Sequence, residues 1–174
     1  SVPVGDNVSS SFHHTFVRDE LTRSLERMQI DSLDAYLLHN PEHYLEHHLP
    51  LNSTLDMASI ADRRVKFMEE VVLPAFVVLE EEVRDGRIRS YGVSSKCFNH
   101  GPTHPHWFDP QSFLQVAERA SHQVHDEKQQ HSLDEIQMPM NPFEVSGIDV
   151  ARDLAAKHGM HVMLNRPLSP VDRH

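Results

Sequence analysis

The chain of 174 residues is poor in cysteine, with Cys97 as its single thiol. One thiol cannot form a disulfide within the chain, which excludes the disulfide-stapled folds of small secreted proteins. A reducing compartment is therefore the expected location.

Long hydrophobic runs are also lacking, since the sequence contains no stretch of about 18 apolar residues. Residues 1–11 are polar where a secretion signal would have its apolar centre. The sequence thus predicts a cytoplasmic protein without a membrane partner. Because it begins at Ser1 and enters a patterned helix within about fifteen residues, we interpret it as an excerpt of a longer protein.

Basic residues are outnumbered: 16 Lys and Arg stand against 26 Asp and Glu, which gives a formal net charge of -10 with His neutral. Binding to nucleic acid requires clustered basic residues that displace counterions from phosphate, so no nucleic-acid partner is expected. With 39% hydrophobic and 24% charged residues, the composition is that of one globular domain. We take residues 1–174 as a single, incomplete domain in which residues 1–14 are a linker or loop.

What the sequence does contain is a repeated alternation of helix and strand patterns. Apolar residues at three- and four-residue steps predict helices, and short apolar runs bounded by turn residues predict buried strands. The predicted helices cover 15–30, 58–84, a short segment from Pro110 and 148–155, and the predicted strands cover 35–38, 87–95, 136–142 and 161–164. The polar, glutamine-rich residues 122–132 are predicted to be an exposed insertion.

The second predicted helix has a proline, Pro74, inside its apolar pattern, and this residue should divide it into two pieces. Gly86 is the expected left-handed C-terminal cap of this helix. One apolar face is predicted to contain Val65, Met68, Val72, Phe76, Leu79 and Val83.

Strands separated by helices return to the same sheet and make it parallel, so the fold class is α/β. The pattern alone leaves two architectures open, a doubly wound sheet and a barrel. A full (β/α)8 barrel needs about 250 residues, so four strand units amount to about half of one.

Four segments carry a resemblance to a known family: residues 24–31 (SLERMQID), 37–42 (LLHNPE), 86–95 (GRIRSYGVSS) and 165–168 (NRPL). In order and spacing they resemble the aldo-keto reductase family. The resemblance covers most of the chain and implies a partial TIM barrel, in which the four strands correspond to the fourth to seventh strands of the family.

The resemblance also implies roles for residues at the ends of these strands. His39 corresponds to the histidine that contacts and polarises the substrate carbonyl. Ser94, Ser95 and Gln137 correspond to positions that hold the nicotinamide carboxamide, although the second is usually Asn. Asn165 replaces an aromatic ring found in many members, so we interpret Asn165 and Arg166 as polar cofactor contacts. The implied cofactor is NADP(H), and the implied substrate is a small aldehyde, ketone or alcohol.

This assignment agrees with the needs of hydride transfer. The nicotinamide ring must be held with one face toward the substrate, and hydrogen bonds to its carboxamide fix that face. A carbonyl oxygen that gains negative charge needs a nearby donor, and an imidazole N–H is suitable. The family's catalytic Asp, Tyr and Lys have no matching motif here, so the chain alone is expected to be inactive, and a non-catalytic barrel remnant that acts as an interaction or structural protein is the alternative.

Simpler roles remain open for the same residues. His39 is also explained as a strand-end histidine bound to backbone, Ser94 and Ser95 as turn residues, and Gln137 as a residue paired with backbone at a sheet edge. For Arg166, the simpler explanation is an ion pair with Asp153 or Asp172. Half a barrel would also leave two strand edges uncovered, which predicts self-association.

The 15 histidines raise a separate hypothesis, a zinc or nickel site. One group is His43, His47 and His48, and the other is His100, His104 and His106. Neither group has the HExxH order or a second thiolate, so we predict a solvated, pH-sensitive surface and no metal site.

Overall fold

The computed structural model describes residues 2–5, 8–48, 56–126 and 129–168. In chain order its elements are β1 (Val2–Gly5), β2 (Val8–Ser10), α1 (His14–Met28), β3 (Leu33–His39), α2 (Glu42–His48), α3 (Met57–Phe67), α4 (Leu73–Arg84), β4 (Ile88–Ser94), α5 (Pro110–Val124), β5 (Leu133–Pro139), α6 (Ile148–His158) and β6 (His161–Asn165). A π-helical turn (Met68–Val72) joins α3 to α4, and a 3-10 turn (Lys96–Asn99) follows β4. None of the described helices is both long and apolar enough to cross a membrane.

Four strands form one parallel sheet in the order β3-β4-β5-β6, which is also their order along the chain. Each pair of neighbouring strands is connected by a segment that contains a helix, as a parallel connection requires. The predicted α/β class with parallel strands alternating with helices is therefore confirmed, and the four strands make a partial barrel wall.

The core lies between one face of this sheet and the helices α1, α4 and α5. Tyr91 of β4 is fully buried there and contacts Phe76 of α4 edge-on, with ring centroids 5.0 Å apart. The other fully buried aromatic side chains of the core are Phe67, Phe98, Phe108 and Phe113. Alternation along each strand sends the remaining side chains to the opposite face, which is the inner wall of a barrel.

The helix that contains Pro74 differs from its prediction in one respect. Pro74 lies in the first turn of α4, where its missing N–H is not needed, and the π turn before it lets Leu73 N–H bond to Met68 O. The helix is thus divided as predicted, but Val65 is 61% exposed and not on the buried face. The wider π turn rotates the apolar face, so residues before it no longer align with those after it.

Two further predictions need correction. The helix that begins at Asp109–Pro110 is not short, because it continues to Val124 through what was predicted as the start of an exposed insertion. In the last turn of this helix the buried face carries a polar residue, Ser121, and the solvent face is polar as well. Because the buried residue of this turn is not apolar, the sequence of the turn resembles that of a loop. Asp109 is the N-cap as predicted, and its carboxylate accepts a hydrogen bond from Gln111 N at 3.0 Å.

Residues 1–14 are not wholly a linker or loop. Among the described residues of this segment, β1 and β2 pair antiparallel from Val2↔Ser10 to Gly5↔Val8, and His14 already belongs to α1. Such short strands are held by backbone hydrogen bonds, and their sequences show little of the alternation by which strands are recognised.

Candidate functional site

A chain of hydrogen bonds connects three strands at their C-terminal ends. Ser94 Oγ at the end of β4 donates to Gln137 Oε1 of β5 over 2.9 Å. Asn165 Nδ2 at the end of β6 donates to the same oxygen over 3.2 Å. Three of the residues predicted from the sequence therefore form one polar group, to which we refer as the Ser94–Gln137–Asn165 group.

The register of the parallel sheet explains why these residues meet. Ser94 pairs with Gln137, and Gln137 pairs with Met163, which is two residues before Asn165. Residues two apart in a strand share a face, so all three side chains project from the inner face. Gln137 lies in an interior strand of the sheet, and therefore not at a sheet edge where the simpler explanation placed it.

His39 is the last residue of β3 and pairs with Ser94, which puts it beside the Ser94–Gln137–Asn165 group. Its side chain is exposed. The chain turns immediately afterwards, because Asn40 adopts a left-handed conformation with φ 55° and its N–H bonds to Ser94 O at 2.8 Å. Asn tolerates this conformation better than most residues do. The turn holds His39 at the end of the strand.

Ser95 is not part of this group. Its hydroxyl donates to Glu42 Oε2 over 2.6 Å and accepts from Cys97 N at 3.1 Å, at the start of the 3-10 turn. Glu42 is fully buried, and the backbone N–H of Lys96 also points to it, at 3.4 Å. Burial next to this carboxylate raises the pKa of the Cys97 thiol, so Cys97 is an unreactive core residue.

Glu42 ends the 37–42 segment that carries the family resemblance, but the sequence did not indicate its burial or its contacts. A glutamate in the first turn of a helix is normally an exposed partner of the helix dipole, and nothing in the local sequence signals that Glu42 is buried. Its burial depends on Ser95, which is 53 residues away.

Arg166 follows β6 directly, is exposed, and adopts a left-handed backbone conformation with φ 55°. This conformation costs a non-glycine residue about 1 kcal/mol, and such costs collect at functional sites. Asp153, one proposed ion-pair partner, is bound by Lys157 at 2.7 Å. Asp172, the other, lies outside the described residues.

One polar atom of the group has no hydrogen-bond partner within the described part of the protein. Asn165 Oδ1 is buried and accepts no hydrogen bond from any described residue. A buried carbonyl oxygen without a donor costs about 1–3 kcal/mol. The site therefore offers a preformed acceptor, next to amide and hydroxyl groups, to a ligand that carries an N–H.

The loop behind the group is anchored by Asn99, a second residue that the sequence did not indicate. Its amide donates to Pro139 O at 2.6 Å and to Glu144 Oε1 at 3.3 Å, so it connects the 3-10 turn to the end of β5. Gly147 packs directly against it, since a Cβ there would lie 2.3 Å from Asn99 Oδ1. Asn99 fixes the backbone beside the site.

The histidine groups give no three-ligand cluster among the residues that the structure describes. His100 and His104 stack with ring centroids 3.7 Å apart, and Arg64 donates to His104 O at 2.5 Å. Burial, followed by the neighbouring His100, His106 and Arg64, lowers the pKa of His104 to about 4.

The parallel sheet and its helices form half of a parallel α/β barrel. The Ser94–Gln137–Asn165 group lies at the C-terminal ends of the strands, where such barrels have their active sites. The sequence profile of the aldo/keto reductase family matches residues 4–100. The chain belongs to the aldo/keto reductase family.

Solved structures of the same family have the same fold. A glycerol dehydrogenase from Gluconobacter oxydans is 19% identical, with a TM-score of 0.54 over 98% of this chain and 43% of its own. An aldose reductase from Giardia lamblia is 15% identical, with a TM-score of 0.52 over 93% of this chain and 45% of its own. An aldo/keto reductase from Brucella melitensis is 16% identical, with a TM-score of 0.50 over 90% and 43%.

The chain thus spans less than half the length of these three structures. At these identities the likeness shows the fold alone. A search of curated protein sequences gave no match.

Proposed function

We propose that this chain is the nicotinamide-holding half of an aldo/keto reductase barrel that transfers hydride between NADP(H) and a small aldehyde, ketone or alcohol. The observation that carries the proposal is the Ser94–Gln137–Asn165 group, in which Gln137 Oε1 already has two donors while Asn165 Oδ1 is buried without one. Membership of the family supports it.

These residues fit a carboxamide. Its NH2 group needs an acceptor, and Asn165 Oδ1 is one. Its carbonyl oxygen needs a donor, and the Gln137 Nε2 amide is one, since Ser94 and Asn165 both contact the side-chain oxygen of Gln137 and not its nitrogen. When bound, the nicotinamide supplies the hydride, and the chain's part is to hold the ring at one orientation.

The other residues have roles around this group. His39, exposed on the neighbouring strand end, would donate an imidazole N–H to the carbonyl oxygen of the substrate as negative charge develops. Ser95 would contribute through its bond to Glu42, which fixes the turn after Ser94. Arg166, held in its left-handed conformation next to Asn165, would contact the cofactor as a polar or charged partner.

The test is binding of nicotinamide mononucleotide to the ¹⁵N-labelled chain, followed by NMR. We expect the side-chain amide resonances of Gln137 and Asn165 to shift on titration, with a dissociation constant in the millimolar range because a small ligand makes few contacts. Gln137→Ala should abolish saturable binding. The matched control is Gln115→Ala on the solvent side of α5, which should bind like the unaltered chain.

Two results would contradict the proposal. One is equal binding by Gln137→Ala and Gln115→Ala. The other is a set of shifts confined to residues far from the C-terminal ends of the strands.

The second proposal is a non-catalytic barrel remnant that acts by association. It is favoured by the position of β3 and β6, which are the two outer strands of the described parallel sheet, so that each has one side unpaired in it. Outer strands of this kind pair with other chains. Self-association therefore stays a prediction, which size-exclusion chromatography with light scattering measures, and a compact monomer at all concentrations would contradict it.

A further inference from the structure

A second polar cluster lies on the inner face of the sheet, at the opposite end of the strands from the Ser94–Gln137–Asn165 group. Asp134, Glu135 and His161 each contribute one potential ligand atom, and these atoms all lie within 4.8 Å of one another. His161 Nδ1 is 2.9 Å from Asp134 Oδ2. His161 begins β6 and pairs in register with Glu135.

A β-bulge brings the two carboxylates to the same imidazole. The register between β4 and β5 passes from Tyr91↔Leu133 directly to Gly92↔Glu135, so Asp134 is an extra residue. In a regular strand, consecutive side chains point to opposite faces, whereas a bulge redirects one of them. Asp134 and Glu135 can therefore both approach His161.

The backbone opposite the bulge is adapted to it. A Cβ on Gly92 would lie 2.4 Å from Glu135 O and 2.7 Å from Glu135 Cβ, far inside contact distance. Only glycine permits this approach. The bulge in β5 thus depends on the sequence of β4, which supplies Gly92, as well as on the sequence of β5.

Glu135 is the buried member of the cluster and is incompletely satisfied. The residue is 9% exposed, and its Oε2 atom is buried without a hydrogen-bond partner among the described residues. Its Oε1 atom lies 2.8 Å from Ser90 Oγ, which holds the carboxylate in place. An unpaired, buried carboxylate oxygen beside another carboxylate is unfavourable, and either a bound cation or a proton relieves it. Burial, together with the nearby charge of Asp134, raises the pKa of Glu135.

We propose that Asp134, Glu135 and His161 bind a divalent transition-metal ion of the zinc type, with water completing its coordination. One imidazole nitrogen and two carboxylate oxygens suit zinc better than magnesium or calcium, which prefer oxygen ligands alone. The side chains of His161 and Asp134 are 75% and 41% exposed, so the ion has a path from solvent. Ser90 supports the carboxylate of Glu135 from behind.

The position of the cluster indicates what the ion does. Asp134 and His161 lie near the N-terminal ends of β5 and β6, the end at which residues of such barrels contribute to stability. The ion would connect β5 to β6 and act on the fold, separately from any cofactor at the other end.

The test is calorimetric titration of the metal-free 174-residue chain with Zn²⁺ alone, with Mg²⁺ as the comparison. We expect one Zn²⁺ site per chain that Mg²⁺ does not fill. Glu135→Gln and His161→Gln should each weaken Zn²⁺ binding at least about tenfold, and Ser90→Ala about tenfold through loss of support. His104→Asn, in the other histidine-rich region, is the matched control and should leave the site unchanged.

A second measurement keeps the test independent of variant stability. Zn²⁺ should raise the Tm of the unaltered chain above its value in EDTA, and this rise should be missing in His161→Gln, whose exposed side chain can be replaced without disturbing the core. Undiminished binding by both Glu135→Gln and His161→Gln would overturn the proposal. So would several weak sites that His104→Asn reduces.

Discussion

Asn165 Nδ2 donates a hydrogen bond to Gln137 Oε1 at 3.2 Å, while Asn165 Oδ1, on the same amide, is buried and accepts none from the described residues. The two residues stand in neighbouring strands, and Gln137 also receives the hydrogen bond of Ser94. Asn165 therefore gains one hydrogen bond and leaves one acceptor unsatisfied, whereas Gln137 satisfies two donors. The two residues should differ in what they contribute to stability.

We predict that Gln137→Ala lowers the free energy of unfolding by about 1–3 kcal/mol, because it leaves donors without their acceptor. Asn165→Ala should lower it by less than about 0.5 kcal/mol, because the lost bond is offset by removal of an unsatisfied oxygen. Urea unfolding of both variants measures the difference. Equal losses would mean that Asn165 is retained for stability and would weaken its proposed role as a ligand contact.

The second prediction concerns Gly92. A Cβ at this position would meet Glu135 O at 2.4 Å and Leu37 Cδ2 at 2.6 Å. The backbone oxygen cannot move without breaking the β4–β5 pairing, so Gly92→Ala should cost about 3 kcal/mol. Gly101→Ala is the control, because nothing lies within 4 Å of its Cβ position, and it should change stability by less than about 0.5 kcal/mol. A similar, small effect of both substitutions on urea unfolding would show that the bulge is deformable.

The third prediction concerns Glu80, a fully buried carboxylate of α4. It accepts hydrogen bonds from Tyr91 Oη at 2.9 Å, from Ser132 N at 2.8 Å and from Ser132 Oγ at 2.9 Å, and it pairs with His125 Nε2 at 3.0 Å. Burial, together with the charge of Glu80, raises the pKa of Tyr91 well above its ordinary value, so the tyrosine stays a donor. The carboxylate thus connects a helix, a strand and the segment before β5.

Glu80→Ala should lower the free energy of unfolding by about 3–5 kcal/mol, because it leaves these donors buried and creates a cavity. Glu80→Gln should cost only about 1 kcal/mol, because its oxygen can keep Tyr91 and Ser132 N while its amide faces Ser132 Oγ and His125. Glu81→Ala, which removes a more exposed carboxylate paired with Arg18, is the control and should stay within about 0.5 kcal/mol. Calorimetry of the three variants gives the order, and an equal effect of Glu80→Ala and Glu81→Ala would contradict it.

The parts of this protein that the sequence predicts are those with local causes. Periodicity and turn residues predict the four strands of the parallel sheet, and the resemblance places Ser94, Gln137 and Asn165 at strand ends, where the register brings them together. Glu80 escapes prediction because, in sequence, it is one of three consecutive glutamates on a helix, and its partners lie 11 to 52 residues away.

The bulge at Asp134 is invisible in the sequence for a related reason. Whether Asp134 and Glu135 point to one face or to two depends on their pairing with Tyr91 and Gly92, and not on their own propensities. An irregularity of register is determined by both paired strands together, so the sequence of one strand does not predict it.

The fourth prediction is that the purified 174-residue chain shows negligible NADPH-dependent reduction of aldehydes. His39 would supply one donor to the substrate, but the sequence contains no match to the family's catalytic Asp, Tyr and Lys. Loss of a proton donor alone costs about 10²–10⁴ in rate. Absorbance at the NADPH band, with a full-length family member as positive control, is the measurement, and robust turnover by the chain would refute the assignment of its site as partial.

The fifth prediction is a pH dependence of stability that arises at His104. Its pKa in the folded protein is lowered to about 4, mainly by burial, whereas in the unfolded chain it should lie near the ordinary value of about 6.5. Between these values the unfolded state binds more protons than the folded state, so stability must fall as the pH falls from about 6.5 to about 4. Above about 6.5 this residue contributes no pH dependence.

His104→Asn separates this contribution from that of other groups. The ring nitrogen Nδ1 of His104 accepts a hydrogen bond from His106 N at 3.1 Å, and an asparagine oxygen can replace it as acceptor. Because His104 is only partly buried, we expect the variant to recover about 2–4 °C of the Tm lost between pH 7 and pH 4.5. His122→Asn, exposed on α5, should recover none. If the Tm of both variants falls between pH 7 and pH 4.5 by as much as that of the unaltered chain, the lowered pKa of His104 does not determine stability in acid.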